Sequence, residues 1–138
     1  IFDSWGGILS PRDFHEYSFP YLKRMANELT GVPVVLYAKG CNHAYGDMAQ
    51  TSAAAIGVDW HTLPKHARSL AGDNITLQGN FDPSRLLSPI SEIEKMAKQM
   101  VDEFGSQRYI ANLGHGILPN IPVDHAKAFI NSIKNWSA

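Results

Sequence analysis

One cysteine, Cys41, is all that the 138 residues contain, so no internal disulfide and no multi-cysteine metal cluster can form. An excess of either charge is also missing. The 12 Lys and Arg against 13 Asp and Glu leave a formal charge of -1, which offers nucleic acid or an anionic membrane no bulk electrostatic attraction. No apolar run approaches the roughly 20 residues that span a bilayer, and no signal peptide is visible. No loop reads GxGxxG, and none reads GxxxxGK followed by Ser or Thr, which leaves no reason to invoke a dinucleotide or P-loop site. These absences point to a soluble, cytoplasmic protein with neither nucleic-acid nor membrane partners. An initiator Met is absent as well. Ile1-Phe2-Asp3 starts inside what reads as a strand, so a fragment is expected.

What is present is a regular alternation. Hydrophobic residues make up 44% of the chain, enough for the core of a single domain over 1–138. Short apolar strands are expected at Ile1–Trp5, Val32–Ala38, Ile56–Trp60, Ile75–Gln78 and Tyr109–Leu113. Helices are expected between them. Ser10-Pro11-Arg12-Asp13 supplies an N-cap, a Pro at N1 and an acid at N3. Pro20 splits that helical region in two, the second piece capped by Ser18 and ended by Gly31. A helix over about Ala44–Ala55, another over Pro64–Leu70, a longer one from a Ser91/Glu94 capping box to Phe104, and a last from Val123 to Trp136 complete the pattern. Met96 and Met100 keep helical spacing with Ile93, Ala97, Val101 and Phe104, as core residues do. The last helix sets Ala126, Phe129, Ile130 and Ile133 on one face.

Five βα units with strands apolar on both faces predict an α/β fold, a parallel sheet covered by helices. Either an open doubly wound sheet or part of a (β/α)8 barrel fits, and both bind ligands at the carboxyl ends of their strands. The turns at those ends carry Asp3-Ser4-Trp5, Lys39-Gly40, Asp59-Trp60-His61, Gln78-Gly79-Asn80 and Asn112 to Gly116, whereas the returning turns are plain. Polar side chains therefore gather at one rim. Within it Gly114-His115-Gly116 is the sharpest feature: an imidazole between two glycines that let the backbone turn at either sign of φ. Asp59 and Trp60 read as strand-end capping and packing, and Asp82-Pro83 as a helix-start device. Lys39 suits a substrate carboxylate or a helix end equally. Cys41-Asn42-His43 hints at metal, but one cysteine cannot complete a zinc set.

Phe2-Asp-Ser-Trp-Gly-Gly7, Tyr37-Ala-Lys-Gly40, Gly57-Val-Asp-Trp60, Leu77-Gln-Gly-Asn-Phe-Asp-Pro83 and Tyr109-Ile-Ala-Asn-Leu-Gly-His-Gly116 together resemble the carboxyl-terminal part of the uroporphyrinogen decarboxylase family. The motifs occur in order over essentially the whole chain. The resemblance implies the last five βα units of a (β/α)8 barrel, and an activity that removes carbon dioxide from the four acetate arms of uroporphyrinogen to give coproporphyrinogen. It implies no metal and no organic cofactor, and a homodimer. Matched position by position, Phe2 would pack on the macrocycle, Ser4 would hydrogen-bond a substrate carboxylate, and His115 would be the catalytic and substrate-binding histidine, orienting a carboxylate or donating a proton. The family's basic loop, central aspartate and neighbouring tyrosine lie in an amino-terminal part that this sequence does not contain, so the chain is expected to be inactive by itself. A corrinoid-related methyltransferase-like or non-catalytic member of the same fold is the alternative.

Overall fold

In the computed structural model, which describes residues 1–137, the strands are β1 (Phe2–Asp3), β2 (Val35–Ala38), β3 (Ala55–Val58), β4 (Thr76–Phe81) and β5 (Tyr109–Leu113). The helices are α1 (Pro11–Tyr17), α2 (Phe19–Glu28), α3 (Tyr45–Ala49), α4 (Pro64–Ala71), α5 (Ile90–Phe104) and α6 (Val123–Lys134). All four strand pairings are parallel, and the spatial order β1-β2-β3-β4-β5 is the sequence order. That order chooses between the two architectures. A doubly wound sheet reverses its order partway and so puts helices on both faces. Here right-handed crossovers that never reverse carry every helix to the same face, leaving the other as the inner wall of a barrel. The chain is five βα units of the (β/α)8 architecture.

The helix-covered face holds the core in two clusters. Leu36, Ala38, Ile56, Val58 and Leu77 pack against Phe14 and Leu22 of α1 and α2 and Met48 of α3. Phe81 packs with Ile93, Ala97, Met100 and Val101 of α5 and with Ala128 and Phe129 of α6. Met100 is buried and Met96 packs beside it, as expected of core residues. Ser10 caps α1 as its sequence implies, its hydroxyl accepting from Asp13 N at 3.1 Å. Gly72 and Gly105, with φ of 81° and 78°, end α4 and α5.

Five local expectations are corrected. Ser18 stands at the N-cap position of α2 without capping it: its hydroxyl donates to Asp3 Oδ2 at 2.5 Å, tying α2 to the end of β1. The helix expected to reach Ala55 stops at Ala49. There Thr51 turns its hydroxyl onto Met48 O (2.7 Å) and accepts Ala53 N (3.2 Å), a local substitute for helical bonding. Ala54 and Ala55 then donate to Val34 O, so sheet pairing overrides the helix preference of alanine. The capping box at Ser91 does not form. Pro89 is the N-cap residue of α5, and its carbonyl already accepts from Glu92 and Ile93, which puts Ser91 inside the first turn. On α6 the buried side is Ala128, Phe129 and Ser132, while Ile130 lies exposed. Finally, β5 alternates instead of being buried on both faces: Tyr109, Ala111 and Leu113 pack toward α5 and α6, and Ile110 and Asn112 face the open inner wall.

Candidate functional site

The period-two alternation of a strand decides which side chains look inward. The register aligns Phe2 with Tyr37, Tyr37 with Gly57, Gly57 with Gln78 and Gln78 with Ile110, one row across all five strands on the face without helices. Gly57 is needed in that row, because a Cβ there would lie 2.6 Å from Tyr37 Cδ2. The absence of a side chain lets the Tyr37 ring lie across the β3 backbone. Phe2 meets that ring edge-on, centroids 5.8 Å apart.

At the carboxyl end of the row, Ser4 and the segment from Asn112 to Ile117 complete a cavity of about 580 Å³. Phe2, Ser4 and His115 all line it, although they come from the two opposite edges of the sheet. Curvature brings them together. A flat sheet would hold β2 and β5 about 14 Å apart, yet Tyr37 Oη donates to Gly114 O at 2.6 Å and lies 3.2 Å from His115 Nδ1. The Tyr37 and His115 rings stack with centroids 5.8 Å apart. Burial, reinforced by the Asp59 carboxylate, raises the Tyr37 phenol above its ordinary range, so it remains a neutral hydroxyl.

Gly114 earns its place by space rather than by a positive φ, contrary to the sequence reading of both glycines beside His115. A Cβ on Gly114 would come within 3.0 Å of the Trp60 backbone N and 3.1 Å of Asp59 Cα, and its own N–H donates to Phe81 O at 2.7 Å. The peptide is fixed on three sides. His115 therefore leaves a rigid base, and its ring stands in the cavity.

Below the rim, Asp59 does the structural work expected of it. Only 1% exposed, its carboxylate accepts Gly40 N (2.5 Å), His61 N (2.9 Å) and the His61 ring (3.2 Å), which ties the loop after β2 to the loop after β3. Asn80 extends the tie, donating to Asp59 O and Thr62 O. The Lys39 ammonium lies over the Trp60 ring, 5.2 Å from the centroid. Asp82 caps the turn at Pro83–Leu87 by accepting Ser84 N at 2.9 Å. Cys41 is fully buried and its thiol is pushed up to about 12, chiefly by burial. Among the described residues no three His, Cys, Asp or Glu side chains are grouped closely enough to hold a metal. Arg68 binds Gly72 O, Ile75 O and Arg108 O, and Arg108 binds Asn74 O, all at the amino ends of the strands. Arg85 lines a separate cavity of about 210 Å³ beside α5. No arginine lines the 580 Å³ cavity.

Sequence reasoning missed Tyr37 as a member of this cavity. Its signal was faint: a hydroxyl in an otherwise apolar strand, whose inward direction only the register fixes.

Comparison with known proteins agrees with this geometry. The uroporphyrinogen decarboxylase (URO-D) family model matches residues 1–136. A uroporphyrinogen decarboxylase of Flavobacterium johnsoniae is 58% identical over 137 residues, covering 99% of this chain and 40% of that protein. The one of Homo sapiens is 38% identical over 146 residues, with the same two coverages. A solved methyltransferase from Methanosarcina mazei superposes with a TM-score of 0.85 over 100% of this chain and 42% of its own, at 24% identity, a likeness of fold alone. The chain thus spans about 40% of the length of the curated relatives it matches. With a family model aligned to nearly every residue and the motif side chains of β1 and β5 lining one cavity, the chain belongs to the uroporphyrinogen decarboxylase family.

Proposed function

We propose that the intact protein decarboxylates the four acetate arms of uroporphyrinogen to give coproporphyrinogen, and that residues 1–138 form a single domain supplying one wall of its active site. The observation that carries this reading is the convergence of Phe2, Ser4 and His115 on one cavity from opposite sheet edges. Phe2, 78% exposed on that wall, offers an apolar face to a macrocycle. The Ser4 hydroxyl hydrogen-bonds a substrate carboxylate, and His115 orients a carboxylate or donates a proton.

The chemistry needs little else from this wall. Once a pyrrole ring is protonated it accepts the electron pair released when the bond between methylene and carboxylate breaks. Carbon dioxide leaves, and a proton added to the methylene gives the methyl product. The substrate itself acts as the electron sink, so the reading calls for no cofactor. The guanidinium forks that a polycarboxylate requires come from the rest of the barrel, because this wall has none. A cytoplasmic homodimer is part of the same reading, and sedimentation of the intact protein tests the dimer. No observation favours the methyltransferase-like alternative, since the resemblance to that structure extends to the fold only.

The test is single-turnover analysis of His115→Asn and Ser4→Ala in the intact protein. An orienting His115 predicts about a tenfold loss with build-up of partly decarboxylated intermediates, and a proton donor predicts the 10²- to 10⁴-fold loss typical of general acids. Ser4→Ala costs about 1.5–3 kcal/mol of substrate binding at most. Rates for every step within about twofold of wild type in both variants would refute the assignment of these residues.

A further inference from the structure

A tyrosine oxygen has one proton to give and lone pairs to receive. Tyr37 Oη gives its proton to the nearer acceptor, Gly114 O at 2.6 Å, which leaves it only the acceptor role toward His115 Nδ1 at 3.2 Å. That nitrogen must then carry hydrogen. The stacked rings and the fixed Gly114 peptide hold the arrangement in place.

We infer that Tyr37 is a positioning residue that holds His115 in the Nδ1-protonated form, so that Nε2 alone serves the cavity. The consequence is chemical. A neutral His115 presents a bare Nε2, which accepts hydrogen bonds and repels a carboxylate. Only the imidazolium has a second N–H to donate, so binding a carboxylate arm at His115 requires proton uptake at Nε2. This consequence rests on the proposed carboxylate-rich substrate, whereas the tautomer rests on geometry alone.

Other charges around the ring do not replace this control. Among the residues lining the cavity only Tyr37 and His115 carry ionisable side chains. On β1, Asp3 is engaged by Trp5 N and Ser18 Oγ. Beyond β2 and β3, Lys39 lies over Trp60, and Asp59 is buried under its own three hydrogen bonds. Gln78 and Asn112 of β4 and β5 are uncharged.

Two measurements on the intact protein test the inference. Nitrogen-15 NMR of the neutral His115 ring is expected to show hydrogen on Nδ1 in the wild type and a shift toward the Nε2-protonated form in Tyr37→Phe, which keeps the ring packing. Hydrogen on Nε2 in the wild type, or an unchanged tautomer in the variant, overturns it. The wild-type spectrum decides even if the variant does not fold. The second measurement is the pH dependence of KM for uroporphyrinogen. The wild type is expected to weaken about tenfold per pH unit once His115 deprotonates, and Tyr37→Phe to flatten that slope, because a neutral ring free to place hydrogen on Nε2 can still donate to a carboxylate. Parallel profiles would overturn the proton-uptake step. Absence of any uroporphyrinogen turnover in the wild type would instead refute the proposed function and leave the NMR result standing.

Discussion

The imidazoles of His15 and His43 lie on the helix side of the sheet, with ring centroids 5.6 Å apart, and their different surroundings shift them in opposite directions. His15 bonds Asp47 Oδ2 at 2.9 Å and Pro11 O at 2.7 Å, and its pKa is raised, first by the Asp47 hydrogen bond and then by the carbonyl. The pKa of His43 is lowered, first by burial and then by the charge on His15. A ring whose pKa is higher in the folded state stabilises below its unfolded value of 6.5 and loses that contribution as pH rises through the folded value. His43 acts in the opposite sense, stabilising above 6.5 and losing that contribution as pH falls through its lowered value. The exposed His15–Asp47 pair contributes no more than about 1 kcal/mol. Asp47→Asn is accordingly expected to lower stability by up to that amount near pH 5.5, with the difference fading toward pH 8. Urea denaturation of the intact protein across this range measures it, and a difference that grew with pH would contradict the assignment.

Among the elements, α5 is the one whose periodicity reads true. Ile93, Ala97, Met100 and Val101 fall on its buried side, as their spacing requires, even though its start lies at Pro89 and not at Ser91. Side-chain spacing repeats over fifteen residues, whereas a cap is a single local event that a neighbouring proline can move. The last helix shows the reverse. Ile130 was counted on its apolar face, and the structure turns it outward beside buried Ser132, whose hydroxyl returns to Ala128 O at 2.9 Å. Ile93→Ala is therefore expected to cost about 2–5 kcal/mol. Ile130→Ala should stay within about 0.5 kcal/mol. Equal losses in thermal or denaturant unfolding would mean that the α6 face is assigned the wrong way round.

At the scale of the whole molecule, the inner wall and the two ends of the sheet are what remain uncovered. The β1 and β5 edges have no strand beyond them among the described residues, and Phe2, Ile110 and Ile117 are exposed on or beside the open face. Open strand edges next to apolar surface favour association. Residues 1–138 produced alone are expected to self-associate and to leave uroporphyrinogen unchanged, since one wall without guanidinium groups cannot hold a polycarboxylate. Light scattering together with a turnover assay checks both, and an active monomer would refute the division of the site between this wall and the rest of the barrel.

The βα alternation, the polar rim and His115 between its glycines were legible in the sequence, because each depends on local composition and chain order, whereas Phe2 and Ser4 were singled out by the family resemblance of their motif. Three features depended on tertiary structure. The choice of barrel over doubly wound sheet, implied in the sequence only by the family resemblance, rests physically on the strand order, since both architectures share one local pattern. The early end of α3 needed Val34, which draws Ala54 and Ala55 into the sheet against their own helix preference. The place of Tyr37 needed register and curvature, because a hydroxyl 77 residues away in sequence from the carbonyl it bonds meets it only when β5 curls round toward β2. Side-chain type and spacing are properties of the chain. Which groups meet across a curved sheet is set by the packing of helices on its outer face.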